Sequence, residues 1–76
     1  MFQVFQVVFD AGAGVFSVNM IAAPSETAAT IYAQAHARRH GYTAGQPRKL
    51  EEWEARERRA KHMPCITVDS EGRLTK

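Results

Sequence analysis

Residues 2–9 read FQVFQVVF, and their polar positions fall on both faces of a strand. Side chains alternate along extended chain, so Phe2, Val4 and Val8 share one face with Gln6, while Phe5, Val7 and Phe9 share the other with Gln3. A strand in a small open sheet usually keeps one wet face; this one has none. DAGAG (10–14) reads as a turn, and VFSVNMIA (15–22) as a second strand. Pairing Phe9 with Val15 in a hairpin sets Phe2, Val4 and Val8 beside Phe16, Met20 and Ala22, a nearly continuous apolar face and the expected seat of a helix. The opposite face then carries Phe5, Val7, Phe9, Val15 and Ile21, interrupted by Gln3, Ser17 and Asn19.

The period changes after Pro24. Ala28, Ile31, Tyr32 and Ala35 recur at helical spacing and predict a helix over about 25–40, with Ser25 as N-cap and Glu26 in the first turn. Arg38, Arg39 and His40 suit its C-terminal end, and Gly41 followed by Tyr42 predicts a Schellman-type stop. TAGQP (43–47) reads as a linker. A second helix is expected from Pro47 to His62, anchored by Leu50 and Trp53 and supported by Glu52–Arg56, Glu54–Arg58 and Glu57–Lys61 pairs. Pro64 stops it; CITV (65–68) is a third strand, DSEG a turn, and RLT (73–75) a short fourth strand or tail. The expected fold class is α+β: one domain over 1–76, a small antiparallel sheet and two helices in the order β-β-α-α-β, with a final β optional.

At 76 residues the chain buries only about 60% of its unfolded surface, so its core is thin. The 45% hydrophobic content nevertheless argues against disorder. One cysteine, Cys65, leaves no internal disulfide, and no run approaches a membrane span or a signal-peptide core, so the expected compartment is the cytoplasm. Charge is divided along the chain. Residues 1–37 hold Asp10 and Glu26 and no Lys or Arg, whereas residues 38–63 hold eight bases against four acids. An acidic partner would meet the middle of the chain.

Chemical motifs are sparse. No GxSxG, phosphate loop or HExxH is present, and AGAG (11–14) opens a strand rather than a helix, unlike a dinucleotide loop. His36 and His40 stand at i,i+4, and His62 and Cys65 three apart, a donor set zinc accepts. No CxxC pair joins the two halves, so the histidines read as surface groups and Cys65 as a small core residue. No catalytic residue, metal or cofactor is assigned. The basic residues Arg48, Lys49, Arg56, Arg58, Arg59 and Lys61 suit either an acidic protein surface or nucleic-acid phosphates, with Trp53 available to stack. Interleaved glutamates make a solvated, ion-paired helix the plainer reading of that stretch.

One helix layer cannot shelter both faces of the first strand. Phe5, Val7, Phe9, Val15 and Ile21 are therefore expected to meet a protein partner or a second copy of the chain, unless the fold buries them itself. The ββα opening through IAAPSETAATIYAQAHARRHG resembles small type I anti-CRISPR proteins of phages and mobile elements, over about residues 1–42 and in layout. That resemblance implies a stoichiometric, non-enzymatic inhibitor that binds a host CRISPR effector in the bacterial cytoplasm. The alternative expectation is a small basic nucleic-acid-binding module.

Overall fold

A computed structural model describes residues 2–75. Two strands, β1 (Gln3–Gly12) and β2 (Val15–Ala23), form an antiparallel hairpin. Its turn residues, Ala13 and Gly14, both have positive φ (55° and 77°), the backbone hand that matches the twist of a two-residue hairpin. Phe9 pairs with Ser17 and Phe5 with Ile21, not Phe9 with Val15. The strands run on to Gly12 and Val15, with an irregular step after Asp10, whose carboxylate accepts the Gly12 N–H at 2.8 Å. The offset of two residues leaves every side chain on its expected face.

Helix α1 (Glu26–His40) begins where expected: the Ser25 hydroxyl accepts the Ala28 N–H at 3.1 Å, satisfying a first-turn donor. It ends at Gly41 in the left-handed region, and the Tyr42 N–H returns to the Ala37 carbonyl at 2.8 Å. Its seat is the reverse of the expected one. It covers the Phe5, Val7 and Phe9 face, where three successive inward positions are bulky and apolar; on the opposite face Gln6 and Asp10 interrupt the row. The buried stripe is also different. Ala28, Ala29, Ala33 and Ala37 face the sheet and let the helix lie close, while Ile31 stays 44% exposed. With Ile21, Ala23 and Val68 these residues make the main core.

The segment expected as linker and helix start is instead extended. Two short strands, β3 (Thr43–Ala44) and β4 (Arg48–Lys49), pair antiparallel with the outer edge of β1. Gly45 N–H to Val8 O at 2.9 Å and Leu50 N–H to Val4 O at 2.8 Å continue the contact. Strand edges need partners, and this segment supplies them; Pro47, having no N–H to donate, sits buried between the two strands. Helix α2 is therefore short, Glu52–Ala60, and crosses the other face of the sheet. Leu50 and Ala55 pack on Met20 in a second, smaller core with Val4 and Met63. Trp53 is not the expected anchor: it is 63% exposed.

Strand β5 (Cys65–Thr67) lies parallel to β2, and a Val68–Leu74 bridge with a Thr75–Thr67 hydrogen bond folds the chain end beside it. The described residues thus form a small α+β fold, two helices on a mixed five-stranded sheet in the order β3–β1–β2–β5, with β4 on the same edge of β1 as β3.

A half-covered sheet face as candidate docking site

The face proposed from sequence for partner binding is internal. Phe5, Val7, Phe9 and Ile21 are at most 1% exposed beneath α1, and only Val15, near the hairpin turn, is open. The alanine stripe of α1 explains the closure: a helix without bulky inward side chains seats its backbone near the strand, so one layer seals the row.

The open surface is on the other side. Helix α2 crosses the half of that face nearest Val4, Met20 and Ala22, and leaves the half nearest the turn bare. There Val8 is 38% and Phe16 62% exposed, with the half-buried Val18 between them in the pairing order. Every residue from Asp10 to Ser17 is exposed, so the hairpin end projects beyond both helices. A groove of about 390 Å³ separates this shelf from α2, lined by Gln6, Val18, Glu57, Arg58, Lys61 and Met63. Val8, Phe16 and Val18 escaped the sequence reading because their face was assigned to a helix. Asp10 opposite Phe16 was the available sign that this half is not core.

The basic residues of 48–61 surround α2, and most are already engaged. Arg58 donates from Nε to the Gln6 Oε1 at 2.7 Å, tying α2 to the sheet and taking the place of the expected Glu54–Arg58 pair. Glu54 turns to Arg48 at 3.3 Å, while Arg56–Glu52 (3.1 Å) and Lys61–Glu57 (3.5 Å) form as expected. Glu54 also accepts the Glu51 N–H at 3.1 Å, closing the first turn of α2; that bond first, and Arg48 second, hold its carboxyl below the usual range. Lys49 and Arg59 have no carboxylate partner among the described residues. They line a second groove of about 380 Å³ whose lining includes the apolar Phe2, Val4, Leu50 and Ala55.

The histidine and cysteine positions do not converge: among the described residues, no three His, Cys, Asp or Glu side chains group as metal ligands. His36 and His40 lie ring to ring at 4.5 Å at the end of α1, His36 against Phe9 at 4.9 Å and His40 stacked on Tyr42 at 5.4 Å. Partial burial lowers the His36 pKa, and His40 and Arg39 add to the effect. Cys65 is exposed, not the small core residue expected.

What the fold defines is a small α+β scaffold carrying one apolar half-face beside α2, a helix whose three arginines are balanced by three glutamates. No family model, no curated protein and no solved structure matches this chain. No helix among the described residues is long and apolar enough to cross a membrane.

Proposed function

We propose that the chain is a non-enzymatic protein-binding module that seats its partner on the bare half of the α2-side face. The observation that supports this is the shelf of exposed Val8 and Phe16 with half-buried Val18, bordered by Glu57, Arg58, Lys61 and Met63. An apolar centre with a polar border of both charges, Glu57 beside Arg58 and Lys61, suits a protein surface with an apolar knob and a polar rim, where buried aromatics dominate affinity. The original candidate face is withdrawn from this reading, because Phe5, Val7, Phe9 and Ile21 have no free surface to offer.

The resemblance of residues 1–42 to type I anti-CRISPR proteins names the partner to try first: a host CRISPR effector, bound in the bacterial cytoplasm. Purified chain is mixed with type I effector complexes and followed by size exclusion. Stoichiometric co-elution is expected, and Phe16→Asp should weaken it by about tenfold or more. Effector complexes that elute without the chain would rule out the inhibitor reading; co-elution indifferent to Phe16→Asp would rule out the shelf.

The exposure of Trp53 beside the basic residues of α2 favours a second reading, a nucleic-acid module with Trp53 stacked on a base. It requires a gel shift that weakens steeply with salt, with a shallower salt slope after Arg59→Gln. A shift without salt dependence, or none, removes it.

A further inference from the structure

The last turn of α1 carries an inference separate from the docking shelf. His36 and His40 stand one helical turn apart, and their imidazole centroids are 4.5 Å from each other. Each ring is braced by aromatic neighbours. Tyr32 stacks on His36 at 5.7 Å and Phe9 lies against it at 4.9 Å, while Gly41 turns the chain so that Tyr42 stacks on His40 at 5.4 Å. Such bracing removes rotamer freedom before a ligand arrives and so lowers the entropic cost of holding one. His36 is half-buried and His40 exposed, which leaves the pair open to water on one side.

We propose that His36 and His40 together bind one divalent late transition-metal ion, Ni²⁺ or Cu²⁺ in type, with water completing its coordination. Imidazole nitrogen is a favoured donor for these ions. The ring separation selects the geometry. With metal–nitrogen bonds of about 2.0 Å and each nitrogen about 1.1 Å from its ring centre, a shared ion sits about 3.2 Å from both centroids. Two such rings lie about 4.5 Å apart at the right angle of square-planar or octahedral coordination, and about 5.2 Å apart at the tetrahedral angle. The observed 4.5 Å fits the right angle, the geometry of Ni²⁺ and Cu²⁺ rather than of structural Zn²⁺. Charge around the ion is divided: the C-terminal end of the α1 dipole favours a cation, and Arg38 and Arg39 in the same turn oppose one. No third His, Cys, Asp or Glu joins the pair among the described residues. Two protein ligands make a modest site, half-filled at on the order of 0.1 mM free ion.

Isothermal titration calorimetry of the purified chain with NiCl₂ at about pH 7.5, where imidazole is mostly neutral, tests this. Ni²⁺ is the probe because Cu²⁺ would oxidise the exposed Cys65 thiol. One ion per chain is expected, and about 1 mM Ni²⁺ should raise Tm by roughly 5–10 °C. His40→Ala alters an exposed side chain and should leave the fold intact, yet weaken Ni²⁺ binding tenfold or more and abolish the Tm shift. His62→Ala should change neither. No binding up to about 1 mM Ni²⁺, or binding that persists in His40→Ala, overturns the proposal. Binding lost with His62→Ala instead would place the ion at His62 and Cys65 and overturn it as well. None of these results touches partner binding by the shelf, which the effector co-elution measures separately.

Discussion

Phe9 and Phe16 are the same residue type on the same hairpin, and the account assigns them opposite roles. Phe9 is wholly buried, against His36 at 4.9 Å and Tyr42 at 6.4 Å, whereas Phe16 is 62% exposed on the other face. Truncating a buried phenylalanine costs about 3–5 kcal/mol in lost transfer energy and cavity. In a thin core this approaches the whole stability, so Phe9→Leu, at roughly 1–2 kcal/mol, is the measurable variant. At about 4–8 °C per kcal/mol for a domain of this length, Phe9→Leu should lower Tm by about 5–15 °C. Phe16→Ala removes a side chain that lies mostly in water and should change stability by no more than about 0.5 kcal/mol. Thermal unfolding followed by circular dichroism reads both. Equal losses from the two substitutions, or a larger loss from Phe16→Ala, would mean that the two faces have been assigned the wrong way round.

Gly72 meets α1 closely: it has φ 76°, and an added Cβ would lie 2.7 Å from the Ile31 Cγ2 and 2.9 Å from the Ala28 carbonyl oxygen. Gly72→Ala should therefore destabilise by about 2–3 kcal/mol, read as a lower urea midpoint; an unchanged midpoint would show that the turn does not rest on the helix. The Asp69 carboxylate accepts the Glu71 and Arg73 N–H groups at 2.9 and 3.0 Å in that turn, and the Arg73 bond leads in lowering its pKa. Its stabilisation is complete above the ordinary aspartate value and fades as pH falls through the lower folded value, so Asp69→Ala should flatten the acid limb of the melting curve below about pH 4; a limb of unchanged steepness would discount the turn. His36 holds a proton more weakly in the fold than in the unfolded chain. Unfolding then takes up protons, and stability falls as pH drops from the unfolded value of 6.5 through the folded one. His36→Gln should reduce that slope between pH 7 and about pH 5, and identical slopes would place the titration elsewhere.

The local signals in the chain were legible because they act within one turn or one strand. Ser25, Gly41 and the alternation of 2–9 each set backbone geometry by their own chemistry and appear at the expected places, while the turn expected over 10–14 narrows to Ala13 and Gly14 because β1 runs on to Gly12. What was not legible depended on choosing between two apolar faces. Alternation says which residues travel together but not which group meets α1. The deciding features were the unbroken Phe5–Val7–Phe9 row and the small side chains of α1, and those become persuasive only once the close helix–sheet spacing is known. The 47–51 segment misled for a related reason: its helix-compatible residues are captured by an edge of β1 that needed hydrogen bonds, a tertiary demand that overrides propensity. Trp53 was read as an anchor on hydrophobicity alone, while Leu50 and Ala55 supply the contact.

The account stands on a sealed face beneath α1 and an open β2 edge beside the shelf, and residue-resolved amide hydrogen exchange tests both together. Val7, Phe9, Ser17 and Asn19, whose N–H groups face the partner strand of the hairpin, should exchange slowly, and Phe16 and Val18, facing outward past the end of β5, should exchange far faster. Protection of Phe16 and Val18 equal to that of Ser17, or rapid exchange at Val7 and Phe9, would contradict it.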